Sequence, residues 1–475
     1  MQIAGVACHT ARFAPHLASR LRAPNAQFIF AWFLSDFFYA CPMKKTALPI
    51  LRRLLAVAAL GLSAFTPNVQ AQLTIDIVGV GAQQIPVAVA GFAGTDALAQ
   101  QVSAVIEADL ARSGLIKTVN AAGLPRSADL TAVAFNELKA RGADATVIGA
   151  VQAGNNGLLS VSFRLVDVPK QAQIAGLSFN VASKDLRATA HRIADIIYEQ
   201  LTGEKGVFST RLAYVSKSPG RFQLIVADSD GFNAVPALNS SEPIISPAWS
   251  PDGGRLAYVS FEGRKPSVYV QDVVSGVRNL LVRASGNQSA PAWSPDGSRI
   301  VYASSQAGGT QLFIANADGS GSRRLTNSSS IDTAPNWAPD GRIYFMSDRG
   351  GSPQIYRTSP EGGNAERVTF EGSENANPRV AADGKSMVFV KREGSRYMLA
   401  VQDFASRQVQ VLTQGPVDES PSFAPNGKLI VYASVYNGKG ILAAVSADGR
   451  VKQRLGATNA DVREPAWGPM PALPK

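Results

Sequence analysis

The sequence predicts a mixed chain, with a small N-terminal α/β domain followed by an all-β six-bladed propeller. A Pro-Ala-Trp-Ser-Pro-Asp-Gly segment stands at residues 247–253 and 291–297, and it recurs in weaker form four more times. Most copies are followed by a short apolar run that is typical of a β-strand. The stretch before the repeats instead mixes helical and strand periodicities, which is typical of a compact α/β domain.

The spacing of the repeats predicts propeller blades. The copies are marked by Trp249, Trp293, Trp337, Val380, Phe423 and Trp467. Successive marks are 43 or 44 residues apart, which is the period of a four-stranded blade. In the turn at residues 251–253, Pro fixes φ and Gly adopts a positive φ without steric cost. We interpret the Trp side chains as core residues rather than as a sugar-stacking platform.

The two ends of the repeat region predict how the ring closes. The region begins with the strand pattern of residues 211–216, which has no Trp-type strand before it. It ends on Pro465-Ala466-Trp467, which has no partner strand after it. We therefore expect the last strand to complete the first sheet and leave no free edge. An open solenoid is the alternative. The fourth copy differs from the others, since Val380-Ala381-Ala382 has lost both the Trp and the proline.

The N-terminal segment predicts a secretory signal. Residues 1–42 show no clear period, and we interpret them as a misplaced start. A charged Met43-Lys44-Lys45 is followed by an apolar run at residues 54–62 and by Val69-Gln70-Ala71. Residues 43–71 are therefore predicted to be a signal peptide that is cleaved between Ala71 and Gln72. A transmembrane anchor is the alternative, but the apolar run is too short to span a bilayer. Residues 52 and 53 are both Arg, so twin-arginine export stays open beside general secretion.

Removal of the first 71 residues changes what the composition allows. Both cysteines, Cys8 and Cys41, lie in that part, and His191 is the one histidine outside it. Seven of the 46 basic and one of the 36 acidic residues also lie there, so the remaining chain has a formal charge of +4. This argues against disulfide, zinc and Ser-His-acid chemistry and against nucleic-acid binding. We predict no catalytic, cofactor or metal site, and we interpret His191 as a surface or hydrogen-bonded helix histidine.

Residues 72–85 are predicted to be a flexible tail that binds a partner. Leu73, Ile75 and Ile77 alternate with polar residues such as Asp76, which is a strand-like period. A segment of this kind can add as a β-strand to the sheet of another protein.

Residues 86–202 are predicted to form the α/β domain, and residues 203–209 the linker to the propeller at residues 210–475. The periodicities predict strands at residues 87–92, 146–151, 159–165 and 174–181. They predict helices at about residues 95–112, 127–141 and 186–202. In the propeller, Asp228-Ser229-Asp230-Gly231 resembles the start of a calcium loop but lacks the Glu that an EF-hand requires. We interpret it as a turn between the third and fourth strands of a blade.

The loops that enter the Trp-type strands are expected at the mouth of the central channel, where propellers commonly bind partners. They contain eight acidic residues and one basic residue, so the mouth is predicted to be acidic and to attract a basic partner. The alternative is that these loops are polar only because they are solvated. The predicted contact residues are Glu242, Asn287, Asp332, Thr333, Glu374, Asn377, Asp418, Glu419, Arg463 and Glu464.

The order of these segments resembles the TolB family, periplasmic components of the Tol-Pal system in the envelope of Gram-negative bacteria. The blade motif, the linker at residues 201–206 and the run at residues 210–215 carry the resemblance. It implies a non-enzymatic adaptor whose propeller binds the peptidoglycan-associated lipoprotein Pal and whose tail, with Leu73, Ile75, Asp76 and Ile77, binds TolA. It also implies a role in outer-membrane integrity and in constriction at division, and contacts with other outer-membrane lipoproteins, porins and colicins. A propeller hydrolase or lyase acting on peptide or glycan is the alternative.

Overall fold

The computed structural model describes residues 73–79, 83–94, 96–457 and 460–471. The predicted signal peptide, its cleavage site at Ala71 and Gln72, and the upstream residues 1–42 lie outside these ranges. Among the helices that the structure describes, none combines the length and the apolar composition needed to cross a bilayer.

The α/β region consists of one mixed sheet with helices packed against it. Its strands are β2 (Ile85–Val89), β3 (Ala93–Gly94), β4 (Ile116–Val119), β5 (Ala145–Ala153), β6 (Leu159–Asp167) and β7 (Ala172–Val181). Its helices are α1 (Asp96–Arg112), α2 (Phe135–Ala140) and α3 (Leu186–Thr202), with short 3₁₀ turns at Leu130–Ala132, Asn155–Gly157 and Ser183–Asp185. The strand order is β4-β2-β5-β6-β7, with β3 paired to β5. The apolar stripes of α1 and α3 share one buried cluster with the sheet.

Two details of the α/β region differ from the sequence prediction. The helix expected over residues 127–141 is broken, because Val133 adopts an extended conformation after the turn that Asp129 caps. Helix α2 begins only at Phe135. Strand β4 was not predicted, since four residues are too few to establish a period. The remaining predicted strands and helices lie where the periodicities place them, within a few residues at their ends.

Six four-stranded antiparallel sheets form the propeller, as predicted. Blade 1 has β11 (Ile244–Trp249), β12 (Arg255–Ser260), β13 (Ser267–Asp272) and β14 (Arg278–Leu280). Blade 2 has β15 (Gln288–Trp293), β16 (Arg299–Ser304), β17 (Gln311–Asn316) and β18 (Arg323–Arg324). Blade 3 has β19 (Asp332–Trp337), β20 (Ile343–Ser347), β21 (Gln354–Ser359) and β22 (Gly362–Arg367). Blade 4 has β23 (Glu374–Val380), β24 (Ser386–Glu393), β25 (Arg396–Asp403) and β26 (Val409–Val411).

The last two sheets each contain a strand from a distant part of the chain. Blade 5 has β27 (Glu419–Phe423), β28 (Leu429–Tyr436), β29 (Lys439–Ser446) and β30 (Lys452–Ala457), and β1 (Leu73–Gly79) adds to its outer edge. The closing blade joins β31 (Asp461–Trp467) to β8 (Arg211–Ser218), β9 (Arg221–Asp228) and β10 (Val235–Ser240). The pairing of β31 with β8 confirms the predicted closure. Each of the six inner strands contacts the next, and β31 contacts β11, so the ring is complete.

Tryptophans of the repeats pack between neighbouring blades. Trp293 is 6% exposed, and its indole Nε1 donates a hydrogen bond of 3.1 Å to the carbonyl of Ala248 in the preceding blade. The guanidinium of Arg255 lies 4.6 Å from the centre of that ring. Trp249 and Trp337 have an Arg of the preceding blade over the ring in the same way. These contacts confirm the interpretation of these rings as core residues.

Candidate partner-binding surfaces

Every inner strand of the propeller has a strained residue at the same place. Six residues that each precede a proline have a left-handed φ of 47–54°, namely Ser246, Ala290, Ala334, Asn377, Ser420 and Glu464. The register between the first and second strands of the blade shifts around each of them. Such a bulge changes the direction of the strand and of its side chains. Backbone strain of this kind is common at binding sites, and here it recurs in all six strands that surround the channel.

The predicted mouth residues of blades 1 to 4 divide into exposed and paired ones. Glu242 and Asn287 are exposed, whereas the side chain of Asp332 is fully buried. Both Asp332 carboxylate oxygens accept hydrogen bonds from Arg349, at 2.9 and 3.0 Å. Glu374 accepts a hydrogen bond of 2.6 Å from Arg392.

The two uncharged residues of these blades lie within inner strands. Thr333 is in β19 and is partly exposed. Asn377 is the left-handed residue of β23.

The mouth acids of blade 5 and of the closing blade, together with one arginine, form what we call the mouth cluster: Asp418, Glu419, Asp461, Arg463 and Glu464. Arg463 lies 3.7 Å from Glu419 and 3.2 Å from Asp461. Asp418 accepts a hydrogen bond of 2.6 Å from the Ser434 hydroxyl. The backbone N–H of Ser246 in blade 1 donates a hydrogen bond of 3.2 Å to Glu464. One arginine therefore serves several carboxylates from two adjacent inner strands.

In the mouth cluster, nearby positive charges do not offset the burial of two carboxylates, those of Glu419 and Glu464. Burial raises the pKa of Glu419 to about 7, and the negative charge of Glu464 adds to that effect more than Arg463 opposes it. Burial also raises the pKa of Glu464, although a hydrogen bond from Ser246 and the charge of Arg379 act in the opposite direction. A cation supplied from outside the chain would stabilise both ionised carboxylates.

The structure places two arginines beside mouth acids from which they are distant in the sequence. Arg349 follows the second strand of blade 3, and Arg392 lies near the end of the second strand of blade 4. The hairpins place them beside Asp332 and Glu374. The loop count missed both arginines because they lie 17 and 18 residues after the acids that they neutralise. The mouth is therefore less acidic in blades 3 and 4, and the poorly compensated charge is concentrated between blade 5 and the closing blade.

The predicted tail forms a strand on the propeller, which corrects the expectation of a flexible segment. Strand β1 pairs antiparallel with β30, from Leu73 opposite Ala457 to Gly79 opposite Lys452. Ile75, Asp76 and Ile77 pair with Leu455, Arg454 and Gln453. Strand β30 is the outermost of the four strands of blade 5, and an outer strand offers unpaired backbone groups to an alternating segment. The first residue of β1 lies beside Ala457, close to where the chain enters the mouth cluster.

The α/β region contacts the other end of the propeller. Asn426, in the turn after β27, donates a hydrogen bond of 2.8 Å to the carbonyl of Lys205, and Lys428 lies 2.8 Å from Glu204. Gln453 donates to the carbonyl of Arg112 at the end of α1. Because β27 begins at Glu419 in the mouth cluster and ends before this turn, the mouth opens away from the α/β region.

A second group of charged residues, which we call the junction cluster, lies between α1, α3 and the β9–β10 turn. Its members are Asp109, Arg112, Arg187, His191 and Asp230. His191 is 2% exposed and its Nδ1 lies 2.6 Å from Asp109, so of the two predicted alternatives it is the hydrogen-bonded helix histidine and not the surface one. Asp230 is bound by Arg187, and Arg112 is bound to Asp109. The Asp230 turn is thus a turn between third and fourth strands, as predicted, and also an anchor for the α/β region.

Protonation of His191 is favoured at this place. Burial by itself would lower the pKa of His191, but the hydrogen bond to Asp109 and the charges of Asp109 and Asp230 outweigh burial and raise it. Oxygens of Asp109 and Asp230 and a ring nitrogen of His191 lie within 4.8 Å of one another, which is close enough to share a metal ion. Two arginines already neutralise these carboxylates, so the arrangement fits an ion-pair network better than a cation site.

Comparison with known proteins gives the same two-part organisation. A model for the TolB amino-terminal domain matches residues 73–174, and a model for the TolB beta propeller domain matches residues 198–471. Tol-Pal system protein TolB of Methylobacillus flagellatus is 54% identical over 222 residues, which are 46% of this chain and 51% of that protein. The protein of the same name from Bordetella pertussis is 48% identical over 221 residues, covering 46% and 50% of the two chains.

The solved structure of TolB from Acinetobacter baumannii resembles the chain over a longer range. It has a TM-score of 0.77 and 37% sequence identity, and the match covers 84% of this chain and 100% of that one. The chain spans about half the length of the curated relatives that it matches.

Proposed function

Since the chain belongs to the TolB family, we propose that it is a non-enzymatic adaptor of the Tol-Pal system in the periplasm. In this proposal the propeller mouth binds the lipoprotein Pal, and the N-terminal tail binds TolA. The adaptor thereby supports outer-membrane integrity and constriction during division. The mature chain would begin at Gln72, which N-terminal sequencing of the exported protein tests.

The mouth cluster is the observation that supports the Pal site most strongly. Glu419 and Glu464 are half-buried carboxylates with raised pKa values, and one nearby arginine is shared among several acids. A partner that brings a basic side chain to this place would gain a charge-assisted contact at a desolvated site. The mouth also faces away from the α/β region, so a partner can approach it.

The exposed rim acids provide the test of electrostatic attraction. Asp332 is unsuitable for charge reversal, because a lysine there would be buried beside Arg349. Glu242 and Glu371 lie in the loops before the first strands of blades 1 and 4, and both are exposed. Glu242→Lys with Glu371→Lys therefore changes the rim charge without breaking a described ion pair. We expect the association rate with the Pal ectodomain to fall by about tenfold at low salt.

A matched variant distinguishes the effect of charge at the rim from the effect of the net charge of the chain. Glu107→Lys with Glu199→Lys makes the same charge change on exposed faces of α1 and α3. Its association rate with Pal should stay close to that of the unmodified chain. Equal rates for both double variants would place the Pal site away from the mouth.

We propose that the tail binds TolA through its backbone. Alternation of Leu73, Ile75 and Ile77 suits an added strand, yet one backbone edge of β1 is already paired with β30. We propose that TolA uses the edge that β30 now occupies, so that the tail must leave blade 5 before it binds. Deletion of residues 72–84 should abolish TolA binding and leave the propeller folded.

A crosslink separates release of the tail from binding to the paired tail. Thr74 and Gly456 are opposite each other in the β1–β30 pair. With Thr74→Cys and Gly456→Cys, oxidation should abolish TolA binding and reduction should restore it. Full TolA binding by the oxidised form would show that TolA adds to the free edge of β1 or binds elsewhere.

The enzyme alternative is tested on the same material. Incubation of the purified chain with an envelope extract should retain specific proteins and leave glycan and peptide fragments unchanged. Conversion of a glycan or peptide by the chain would contradict the adaptor proposal.

A further inference from the structure

The junction between blades 3 and 4 lacks two large rings. At the junction of blades 2 and 3, Trp337 and Tyr356 share one buried cluster with Phe345. Tyr356 is the cross-strand partner of Phe345, and the matching pair in blade 4 is Phe389 with Ala400. Trp337 is matched by Val380, the departure already evident in the fourth repeat. A cavity of about 650 Å³ lies between blades 3 and 4, a size that suits a small ligand or an inserted side chain.

The walls of this cavity combine aromatic rings with arginines. Tyr344 and Phe404 stack at 5.6 Å and fill part of the junction. Arg357, Arg367 and Arg407 line the cavity.

The three arginines differ in how far their donor groups are already paired with acceptors of the chain. Arg357 donates a hydrogen bond of 2.9 Å to Glu366. Arg367 uses its Nε on the Thr369 carbonyl at 2.7 Å, and Arg407 is exposed. The acids of the wall are Asp340, which accepts a hydrogen bond from the Tyr344 hydroxyl at 3.3 Å, and the exposed Glu371.

One buried acceptor in the wall has no donor among the residues that the structure describes. Gln402 lines the cavity and is 7% exposed, and its side-chain oxygen is buried without a hydrogen bond. The glutamine at the same place in blade 1, Gln271, accepts a hydrogen bond of 2.8 Å from the Tyr258 hydroxyl. In blade 4 the equivalent of Tyr258 is Phe389, which has no hydroxyl. Comparison with blade 1 therefore identifies the missing group as a phenol hydroxyl that donates a hydrogen bond to Gln402.

We propose that the cavity binds a tyrosine side chain from an extended acidic segment of a partner protein. The ring packs beside Phe389 and Phe404 in the cavity, and its hydroxyl donates to the Gln402 oxygen, the acceptor that lacks a donor in this blade. A carboxylate beside the tyrosine pairs with Arg407 and with the free guanidinium nitrogens of Arg367. None of these residues belongs to the tail or to the mouth cluster, so the inference does not depend on the proposed function.

Three peptides test the chemistry of the ligand against the full mature chain. The first is an acetylated and amidated peptide with one tyrosine between glutamates, the second has phenylalanine for tyrosine, and the third has lysine for glutamate. In calorimetric titrations we expect saturable binding of the first, about three- to tenfold weaker binding of the second, and no binding of the third. Failure of the first peptide to bind would overturn the proposal.

Variants of the cavity test its location. Val409 lines the cavity, so Val409→Trp places a ring there and should abolish binding of the tyrosine peptide. Phe389→Tyr supplies the hydroxyl within the chain and should weaken binding, and Gln402→Leu should make the tyrosine and phenylalanine peptides bind equally. Gln271→Leu is the matched control in blade 1 and should leave peptide affinity unchanged.

The cavity variants differ in the risk that they do not fold, so their results are interpreted together. A melting curve for each variant shows whether the added ring is tolerated. If Val409→Trp does not fold, the other two cavity variants decide the question. An undiminished preference for tyrosine in both Phe389→Tyr and Gln402→Leu would overturn the proposed site.

Discussion

The two ends of the propeller both carry buried charges, but only one end balances them. In the junction cluster, Asp109 and Asp230 face two arginines and a histidine whose pKa is raised. In the mouth cluster, Arg463 lies near Glu419 and Asp461 and Arg379 acts on Glu464, yet burial still raises the pKa values of Glu419 and Glu464. The charges of the junction are paired within the chain, between the propeller and the α/β region. The mouth is electrostatically incomplete.

This difference indicates how a structural charge cluster can be distinguished from a binding one. A buried ion pair that is complete within the chain resists removal of either member, because the other is left buried and unpaired. A buried carboxylate without a full partner destabilises the free protein and is relieved by a ligand of opposite charge. The two clusters should therefore respond in opposite directions to neutralisation of an acid.

The largest effect is expected at the junction. Asp230→Asn keeps the shape of the turn but leaves Arg187 and protonated His191 without their carboxylate. We expect a loss of about 3 kcal/mol in the free energy of unfolding, measured by urea denaturation at pH 6.

The propeller repeat supplies the control for this substitution. Asp318 is at the same position of the matching turn in blade 2, but it is exposed and accepts hydrogen bonds from Ser320. Asp318→Asn should change the free energy of unfolding by less than about 0.5 kcal/mol. Equal effects of the two substitutions would show that the turn and not the ion pair matters.

At the mouth, neutralisation of an acid is expected to stabilise the chain instead of destabilising it. The pKa of Glu419 rises from 4.5 to about 7 on folding, so the folded state holds a proton that the unfolded state releases between these pH values. Stability of the unmodified chain should therefore fall as pH rises through this window. Glu419→Gln should remove that fall and stabilise the chain at pH 8 by about 2 kcal/mol, with no gain at pH 4. Destabilisation at pH 8 would mean that the carboxylate is already compensated in the free protein.

A smaller effect on stability is expected from His191 of the junction cluster, in a pH range different from that of Glu419. The pKa of His191 is raised in the folded state, so its contribution is fully present below about pH 6.5. That contribution is lost as pH rises through the raised folded pKa. His191→Gln should flatten the stability profile above pH 6.5 and leave the window of Glu419 unchanged. Urea midpoints from pH 4 to pH 9 for both variants give the comparison.

The propeller could be predicted in detail because its signals are local and repeated. The Pro-Asp-Gly turns and the Trp marks fix the blade period, and the broken ends fix the closure. Side-chain pairing was harder to predict, since Asp109 and His191 are 82 residues apart and meet only when α1 packs beside α3. The pairing of the tail with β30 depends on which sheet edge remains open, which no local pattern reveals.

The acidity of the mouth was overestimated for a similar reason. Counting charges within loops ignores cations that hairpins bring back to the same end of a blade, as Arg349 and Arg392 do. The departure of the fourth repeat at Val380 was visible in the sequence. The cavity between blades 3 and 4 was not, because its walls come from both blades and the unpaired oxygen of Gln402 reflects the absence of a hydroxyl at Phe389.

The most direct test of the account is a calorimetric titration with the Pal ectodomain at pH 6.5 in two buffers of different ionisation enthalpy. A basic group of Pal at the mouth cluster would lower the pKa values of Glu419 and Glu464, so binding should release protons. Glu419→Gln should bind Pal with less proton release. Absence of binding, or binding whose proton exchange is unaffected by Glu419→Gln, would contradict the assignment of the mouth cluster as the Pal site.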